Sequence, residues 1–180
     1  MRKIGSIIML VVICAFTSGD KMVKVKIADN VNCLLPDNFY PMTDGDIVTR
    51  MPTNKKPIAA YTDESRLVDF VVTSATSRWR SEDMAIAKDF YKASITHLYD
   101  EVDFIKEEIV TINKKEFAAF EFTTLVKGDG ISKRSIRKYA YVQYTIVDNQ
   151  TMVFAFNAPY RIKDKWSTTA LEIMNSLKVK

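Results

Sequence analysis

Four consecutive stretches of alternating apolar and polar residues constrain the fold more than any other feature of the chain. They span residues 102–112, 117–126, 133–147 and 151–157. A period of two residues is typical of β-strands with one face against a core. The turns between them, such as Asn113-Lys114-Lys115, are too short to cross between parallel strands. The pattern therefore predicts an antiparallel meander of hairpins.

Two amphipathic helices are predicted to cover this sheet. The first should begin at Ser81, the expected N-cap. Its apolar stripe consists of Ala87, Phe90, Tyr91, Ile95 and Leu98. The second spans about 163–177, with the stripe Trp166, Ala170, Ile173, Met174 and Leu177. Because each stripe needs a partner surface, we predict an α+β fold in which two amphipathic helices cover an antiparallel sheet, an α/β/α sandwich.

The region before the first long helix predicts shorter elements. Residues 23–35 are expected to form one or two strands. A short helix is predicted from Asp44 to Met51, with Thr43 as its N-cap. The segments 58–61 and 67–73 are β-branched and aromatic and indicate a further hairpin.

The first nineteen residues have the order of a secretory signal peptide. Arg2 and Lys3 precede an apolar run from Ile7 to Phe16, and small residues follow. The run is shorter than the roughly 20 apolar residues of a membrane-spanning helix. We expect residues 1–19 to be removed and residues 20–180 to form one domain outside the cytoplasm, periplasmic or secreted.

Other outcomes at the leader stay open. Cleavage after Thr17 is nearly as favourable as cleavage before Asp20. Cys14 could carry a lipid, as in bacterial lipoproteins, although the β-branched Ile13 before it disfavours that processing. An uncleaved leader would act as an N-terminal anchor. Membrane association is expected only if Cys14 is lipidated or the leader is retained.

Charge and cysteine content exclude several classes of protein. The formal net charge is +4, and the loss of Arg2 and Lys3 with the leader lowers it to +2. That near-neutral balance gives no support to nucleic-acid binding. Cys33 is left without an intramolecular partner, so no disulfide is expected, and its apolar surroundings predict a buried, unreactive thiol.

Catalytic and metal-binding signatures are weak. His97 is the one histidine of the chain, and its place near a helix C-terminus favours a structural role. A histidine-dependent triad or zinc site would have to use it. Asp63, Glu64 and Asp69 could supply the paired carboxylates of a hydrolase. We predict no catalytic residues, no metal and no cofactor.

Basic residues are densest near the start of the third meander strand. They are Lys127, Lys133, Arg134, Arg137 and Lys138. We interpret them as a solvated sheet edge that resists strand addition. The alternative is a cationic patch for an anionic partner or lipid head group.

Arg78-Trp79-Arg80 is the candidate binding segment. It lies in a predicted loop between a strand and the first long helix, and Trp and Arg are enriched in binding hot spots. In the alternative interpretation, Trp79 folds back as a hydrophobic staple of the Ser81 cap.

Several short segments resemble the Mog1/PsbP-like α/β sandwich, in particular its small secreted bacterial, DcrB-like members. They are 35–39 (LPDNF), 68–72 (VDFVV), 109–113 (IVTIN) with 117–120 (FAAF), 152–156 (MVFAF), and Trp166 followed by 173–178 (IMNSLK). Members include a nuclear small-GTPase binder, an accessory photosystem subunit and bacterial envelope proteins. The resemblance implies a binding or accessory protein rather than an enzyme, with fold-level analogy as its warrant.

The expected function is that of a non-catalytic binding or accessory protein outside the cytoplasm, with a protein partner in a bacterial envelope. A small-molecule or ion carrier is the alternative, and it would need a pocket on the sheet lined by aromatic residues such as Tyr139, Tyr141 and Phe154. The carboxylate-dependent hydrolase is the weaker alternative.

Intact-mass spectrometry and N-terminal sequencing of protein isolated from its native envelope test the leader. We expect the mature chain to begin at Asp20, because the small residues before it fit the cleavage site. A chain that begins at a lipid-modified Cys14, or one that retains residue 1, would contradict this expectation.

Overall fold

The computed structural model describes residues 21–51, 55–128 and 134–180. The predictions for the leader and for Cys14 lie outside these residues, as does Lys133 of the basic cluster. No helix within the described ranges is long and apolar enough to cross a membrane.

Ten strands and three α-helices form in the described residues. The strands are β1 (Met22–Ala28), β2 (Val31–Pro36), β3 (Phe39–Pro41), β4 (Ala59–Asp63), β5 (Asp69–Thr76), β6 (Glu101–Ile112), β7 (Lys115–Val126), β8 (Ile136–Val147), β9 (Gln150–Pro159) and β10 (Lys178–Val179). The helices are α1 (Asp44–Arg50), α2 (Met84–Leu98) and α3 (Lys163–Asn175). The predicted antiparallel meander from β6 to β9 and both long helices are confirmed.

Seven strands form one antiparallel sheet in the order β3-β4-β5-β9-β8-β7-β6. Two-residue turns with left-handed backbone join β6 to β7 and β8 to β9. Asn113 and Lys114 have φ of 47° and 71°, and Asp148 and Asn149 have φ of 49° and 58°. Positive φ at both positions is the signature of type I′ hairpin turns, and these turns set the strand register.

The sheet is buried on both faces. On the α3 face, α3 and a small second sheet of β1, β2 and β10 cover Phe117, Tyr139, Tyr141, Phe154 and Phe156. On the α2 face, α2 covers Ala118, Phe120, Phe122, Ala140 and Val142. This two-sided cover is the predicted α+β sandwich, and the small sheet that lies beside α3 in the same layer was not predicted.

α1 and Cys33 match their predictions. The N–H of Asp46 donates to Thr43 Oγ1 at 3.1 Å, and the N–H of Thr43 donates to Asp46 Oδ2 at 3.2 Å. This reciprocal pair is a capping box.

Cys33 is 2% exposed, and burial raises the pKa of its thiol to about 12, so it is a buried and unreactive side chain.

The start and stripe of α2 differ from the prediction. Ser81 opens a 3₁₀ turn instead of capping the helix, and the carboxylate of Asp83 accepts the backbone N–H of Arg80 at 2.9 Å. Of the predicted stripe, Phe90 is 53% exposed and Leu98 is 72% exposed. The buried stripe is narrower because one helix covers only part of the sheet.

The edge interpretation of the basic cluster is wrong. β8 lies between β7 and β9, whereas the edges of the seven-stranded sheet are β3 and β6. Arg137 and Lys138 therefore sit at the end of an interior strand, where both neighbours are already paired. Their charge lies at the end of the sheet and has no role in blocking strand addition.

Phe154→Ala should lower the free energy of unfolding by about 3–5 kcal/mol, because it opens a cavity at a fully buried core position. Phe90→Ala should cost less than about 1 kcal/mol, since half of that ring is already in solvent. Urea unfolding followed by circular dichroism gives both values. Equal losses in the two variants would contradict the described burial.

Candidate functional site

Trp79 lies at the start of the loop into α2 and is partly buried. The backbone N–H of Trp79 donates to Ser77 Oγ at 3.2 Å. The backbone N–H of Ser77 donates to the carbonyl of Asn149, in the β8–β9 turn, at 3.0 Å. The indole packs against Phe90, with 5.7 Å between ring centroids. Trp79 thus folds back onto α2, as the alternative interpretation expected, but its contact is Phe90 rather than a cap at Ser81.

A chain of aromatic contacts connects this surface to the core. Phe90 meets Tyr91 edge-on at 5.3 Å, and Tyr91 stacks on Tyr144 at 4.1 Å with 7° between the ring planes. Tyr144 meets Phe120 at 5.9 Å. The Tyr91 hydroxyl donates to Thr151 Oγ1 at 2.8 Å. The exposed rings are therefore held by the sheet, and little conformational entropy remains to be lost on binding.

We define the aromatic face as Trp79, Ile86 and Phe90 with the flanking Arg78 and Arg80. Ile86 is 63% exposed and lies four residues before Phe90, on the same side of the helix. Both arginines are exposed. Arg80 is 3.7 Å from Glu82, and Arg78 has no ion pair within the described part of the chain. Rigid aromatic rings beside guanidinium groups are suited to binding a partner rather than to catalysing a reaction.

A second feature, the basic cleft, lies at the end of the sheet. It has a volume of about 290 Å³, and its charged lining consists of Arg50, Arg66, Asp69, Arg137 and Lys138. Arg50 donates to Asp69 Oδ1 at 2.6 Å and to Thr62 Oγ1 at 3.2 Å. The Arg50 and Asp69 side chains are 22% and 18% exposed. Burial raises the pKa of Asp69 despite the opposing effect of Arg50.

The contacts that complete the aromatic face and the basic cleft were not predicted from the sequence. Arg50 is the last residue of the short helix α1 and meets Asp69 nineteen positions later. Phe90 meets Trp79 across a loop and a helix turn. Neither contact has a local signature.

The carboxylates proposed for a hydrolase do not converge. Thr62 is the register partner of Asp69, so its neighbour Asp63 points to the opposite face of the sheet. Asp63 accepts the backbone N–H groups of Leu67 and Val68 at 3.0 and 2.9 Å, and Glu64 is exposed. Asp63 fixes a turn and Asp69 forms an ion pair, so these residues do not form the paired site of the hydrolase alternative.

The aromatic pocket required by the carrier hypothesis is also absent where it was predicted. Tyr139, Tyr141 and Phe154 are 0%, 1% and 0% exposed and belong to the filled α3-face core. The Tyr139 hydroxyl donates to Glu121 Oε1 at 2.9 Å. These side chains pack the interior and line no cavity there.

His97 is exposed in the last turn of α2. Across residues 21–51, 55–128 and 134–180, no group of three or more His, Cys, Asp and Glu side chains is placed to hold a metal ion.

The fold is shared with several solved structures. Cyanobacterial PsbP (CyanoP) from Synechocystis sp. PCC 6803 superposes with a TM-score of 0.62 at 12% identity, over 93% of this chain and 97% of that one. The Ran-binding protein Mog1p of Saccharomyces cerevisiae gives 0.56 at 12% identity, over 89% and 96%. LpqN of Mycobacterium tuberculosis, involved in cell envelope biogenesis, gives 0.55 at 8% identity, over 89% and 91%.

These similarities confirm the predicted Mog1/PsbP-like fold, and at such identities they show the fold alone. No protein-family profile matches the chain, and no curated protein matches it in sequence. The narrower resemblance to DcrB-like proteins stays a prediction.

Asp63→Asn tests the turn that positions Arg66. Burial alone would raise the pKa of Asp63, but hydrogen bonds from Ser65, Val68 and Leu67 lower it below the ordinary value of 3.8. The carboxylate therefore adds stability above pH 3.8 that is lost as the pH falls through its lower folded-state pKa. We expect the variant to be less stable by about 1–2 kcal/mol at pH 7.

Urea unfolding of both proteins at a series of pH values measures this difference. It should shrink as the pH falls below 3.8, because the native carboxyl group then takes up a proton as well. A difference that does not change with pH would contradict the assigned hydrogen bonds.

Proposed function

We propose that the protein is a non-catalytic binding or accessory protein that acts outside the cytoplasm, in a bacterial envelope, and docks an envelope protein through its aromatic face. One observation carries the proposal: Trp79 and Phe90 are exposed or partly exposed aromatic rings that a stack of core aromatics holds in place beside two arginines. The leader supports the location.

The energetics of the aromatic face favour docking. Ile86 and Phe90 leave more than half of their surface in water, and burying apolar surface gains about 25 cal/mol per Å². Because Phe90 rests on Tyr91 and Tyr91 rests on Tyr144, a partner would meet a surface that is already ordered. Preordered aromatic anchors are typical of binding hot spots.

The charges beside the rings indicate the chemistry of the partner. Arg78 and Arg80 are exposed on either side of Trp79, and only Arg80 lies near a carboxylate, that of Glu82 at 3.7 Å. A partner with an apolar centre and acidic side chains at its rim would complement them, and such pairs mainly raise the rate and specificity of association.

Two structural neighbours support a role in binding and in the envelope. Mog1p is described as a Ran-binding protein, and LpqN is described as involved in cell envelope biogenesis. The proposal takes from them the general role of a binding protein and an envelope location, and no particular partner.

Crosslinked capture from the native envelope, quantified by mass spectrometry, tests the proposal. We expect the tagged full chain to retain one abundant protein in near-equal amount. Trp79→Ala and Phe90→Ser should each reduce that capture by roughly thirtyfold, the effect of losing about 2 kcal/mol at a hot spot. Arg78→Glu with Arg80→Glu should slow association.

Val48→Ser is the matched control, because Val48 is 74% exposed on a different helix, α1. It should leave capture unchanged. If Trp79→Ala and Phe90→Ser remain folded and capture the partner as well as Val48→Ser does, the aromatic face is not the docking site. A full chain that retains no partner would overturn the proposed function itself.

A further inference from the structure

The basic cleft is built from four separate parts of the chain. Asp69 on β5 and Asn157 on β9 are register partners and lie side by side on the α2 face of the sheet. Arg50 reaches them from the end of α1, and Arg66 projects from the β4–β5 turn. Lys138 closes the cleft from the start of β8. None of these residues belongs to the aromatic face.

The turn that carries Arg66 is fixed. Arg66 has a left-handed backbone with φ of 56°, an uncommon conformation for a residue with a side chain. The Asp63 carboxylate holds it by accepting the N–H groups of Leu67 and Val68 on its C-terminal side. The guanidinium of Arg66 in turn contacts Asp46 of α1. This contact therefore joins the β4–β5 turn, on one side of the cleft, to α1 on the other.

Positive charge exceeds negative charge at the cleft. Four cationic side chains line it with one carboxylate, Asp69. Arg50 is neutralised by Asp69 and Arg66 by Asp46. Arg137 lies over the Tyr160 ring at 4.4 Å and approaches Asp103 at 3.9 Å. Lys138 has no ion-pair partner within 4.0 Å in the part of the chain that the structure describes.

From this geometry we propose that the cleft binds a phosphate group of a small organic molecule, through Lys138 and the free donors of Arg66 and Arg50. Guanidinium forks match the oxygens of phosphate, and the lysine ammonium adds a point charge. Arg50 and Asp69 are largely shielded from water, and electrostatic attraction is stronger in such surroundings.

The size and the apolar lining of the cleft indicate an organic ligand. A volume of about 290 Å³ is larger than a phosphate ion needs, and Leu67, Ile136, Ala158 and Pro159 supply apolar surface beside the charges. Asn157 offers an amide that could bond a hydroxyl group. A glycerol phosphate fits this chemistry, whether it is free in solution or the head group of an anionic phospholipid.

Isothermal titration calorimetry of the processed protein with sn-glycerol 3-phosphate tests the site, with glycerol as the uncharged control ligand. We expect saturable binding with a Kd of about 1 mM or lower and none to glycerol. Lys138→Gln should weaken binding about tenfold, the usual effect of removing one charged hydrogen bond. Asp69→Asn should strengthen it, because it removes the competing carboxylate and frees Arg50.

Lys24→Gln is the control, since Lys24 is an exposed lysine on β1, outside the basic cleft, and it should bind like the native protein. Circular dichroism shows whether each variant is folded. If Asp69→Asn does not fold, the Lys138→Gln variant tests the site by itself. Lys138 is exposed, so its replacement should not unfold the protein. Equal weakening by Lys138→Gln and Lys24→Gln would mean non-specific attraction and would overturn the site.

Sedimentation with phosphatidylglycerol vesicles separates the two sources of the phosphate. Binding to vesicles that depends on Lys138, without binding of free glycerol phosphate, assigns the site to a lipid head group. Binding of free glycerol phosphate assigns it to a soluble ligand. Absence of Lys138-dependent binding in both experiments overturns the inference, while the aromatic face and its partner capture are tested independently.

Discussion

Burial of the central strands on both faces is the constraint on which the rest of the structure depends. β7 lies inside the sheet, between β8 and β6, and the stretch from Phe117 to Phe120 is 0% exposed at every position. A strand without a solvent face needs cover on both sides. α3 and the small sheet cover it on one side, and α2 covers it on the other. The three-layer arrangement follows from this requirement.

The aromatic face is a consequence of this layering. A single helix, α2, covers a sheet that is wider than the helix, so its contact stripe is narrow and Phe90 is left at the margin. Tyr91, one position later, turns inward and stacks on Tyr144. The same packing that stabilises the α2-face core thus fixes an exposed aromatic surface, and stability and binding share one set of contacts.

The basic cleft arises where the cover ends. Beyond the part of the sheet that α2 covers, the ends of β5, β8 and β9 carry polar and charged side chains instead of a core. Asp69 can be buried there only because Arg50 reaches it from α1, since an unpaired buried carboxylate is costly. That pair forms the floor of a cleft whose remaining charge, at Lys138, is positive.

Period-two alternation and short turns in the sequence determined the meander, and helical spacing determined α2 and α3, because these signals are local and depend on neighbouring residues. The burial of Cys33 and the N-cap at Thr43 followed in the same way. Tertiary structure alone decided that β8 is an interior strand, that Asp63 and Asp69 face opposite sides, and that Phe90 meets Trp79. Those outcomes depend on which distant segments pair and on how much of the sheet one helix can cover, and no local pattern records either quantity.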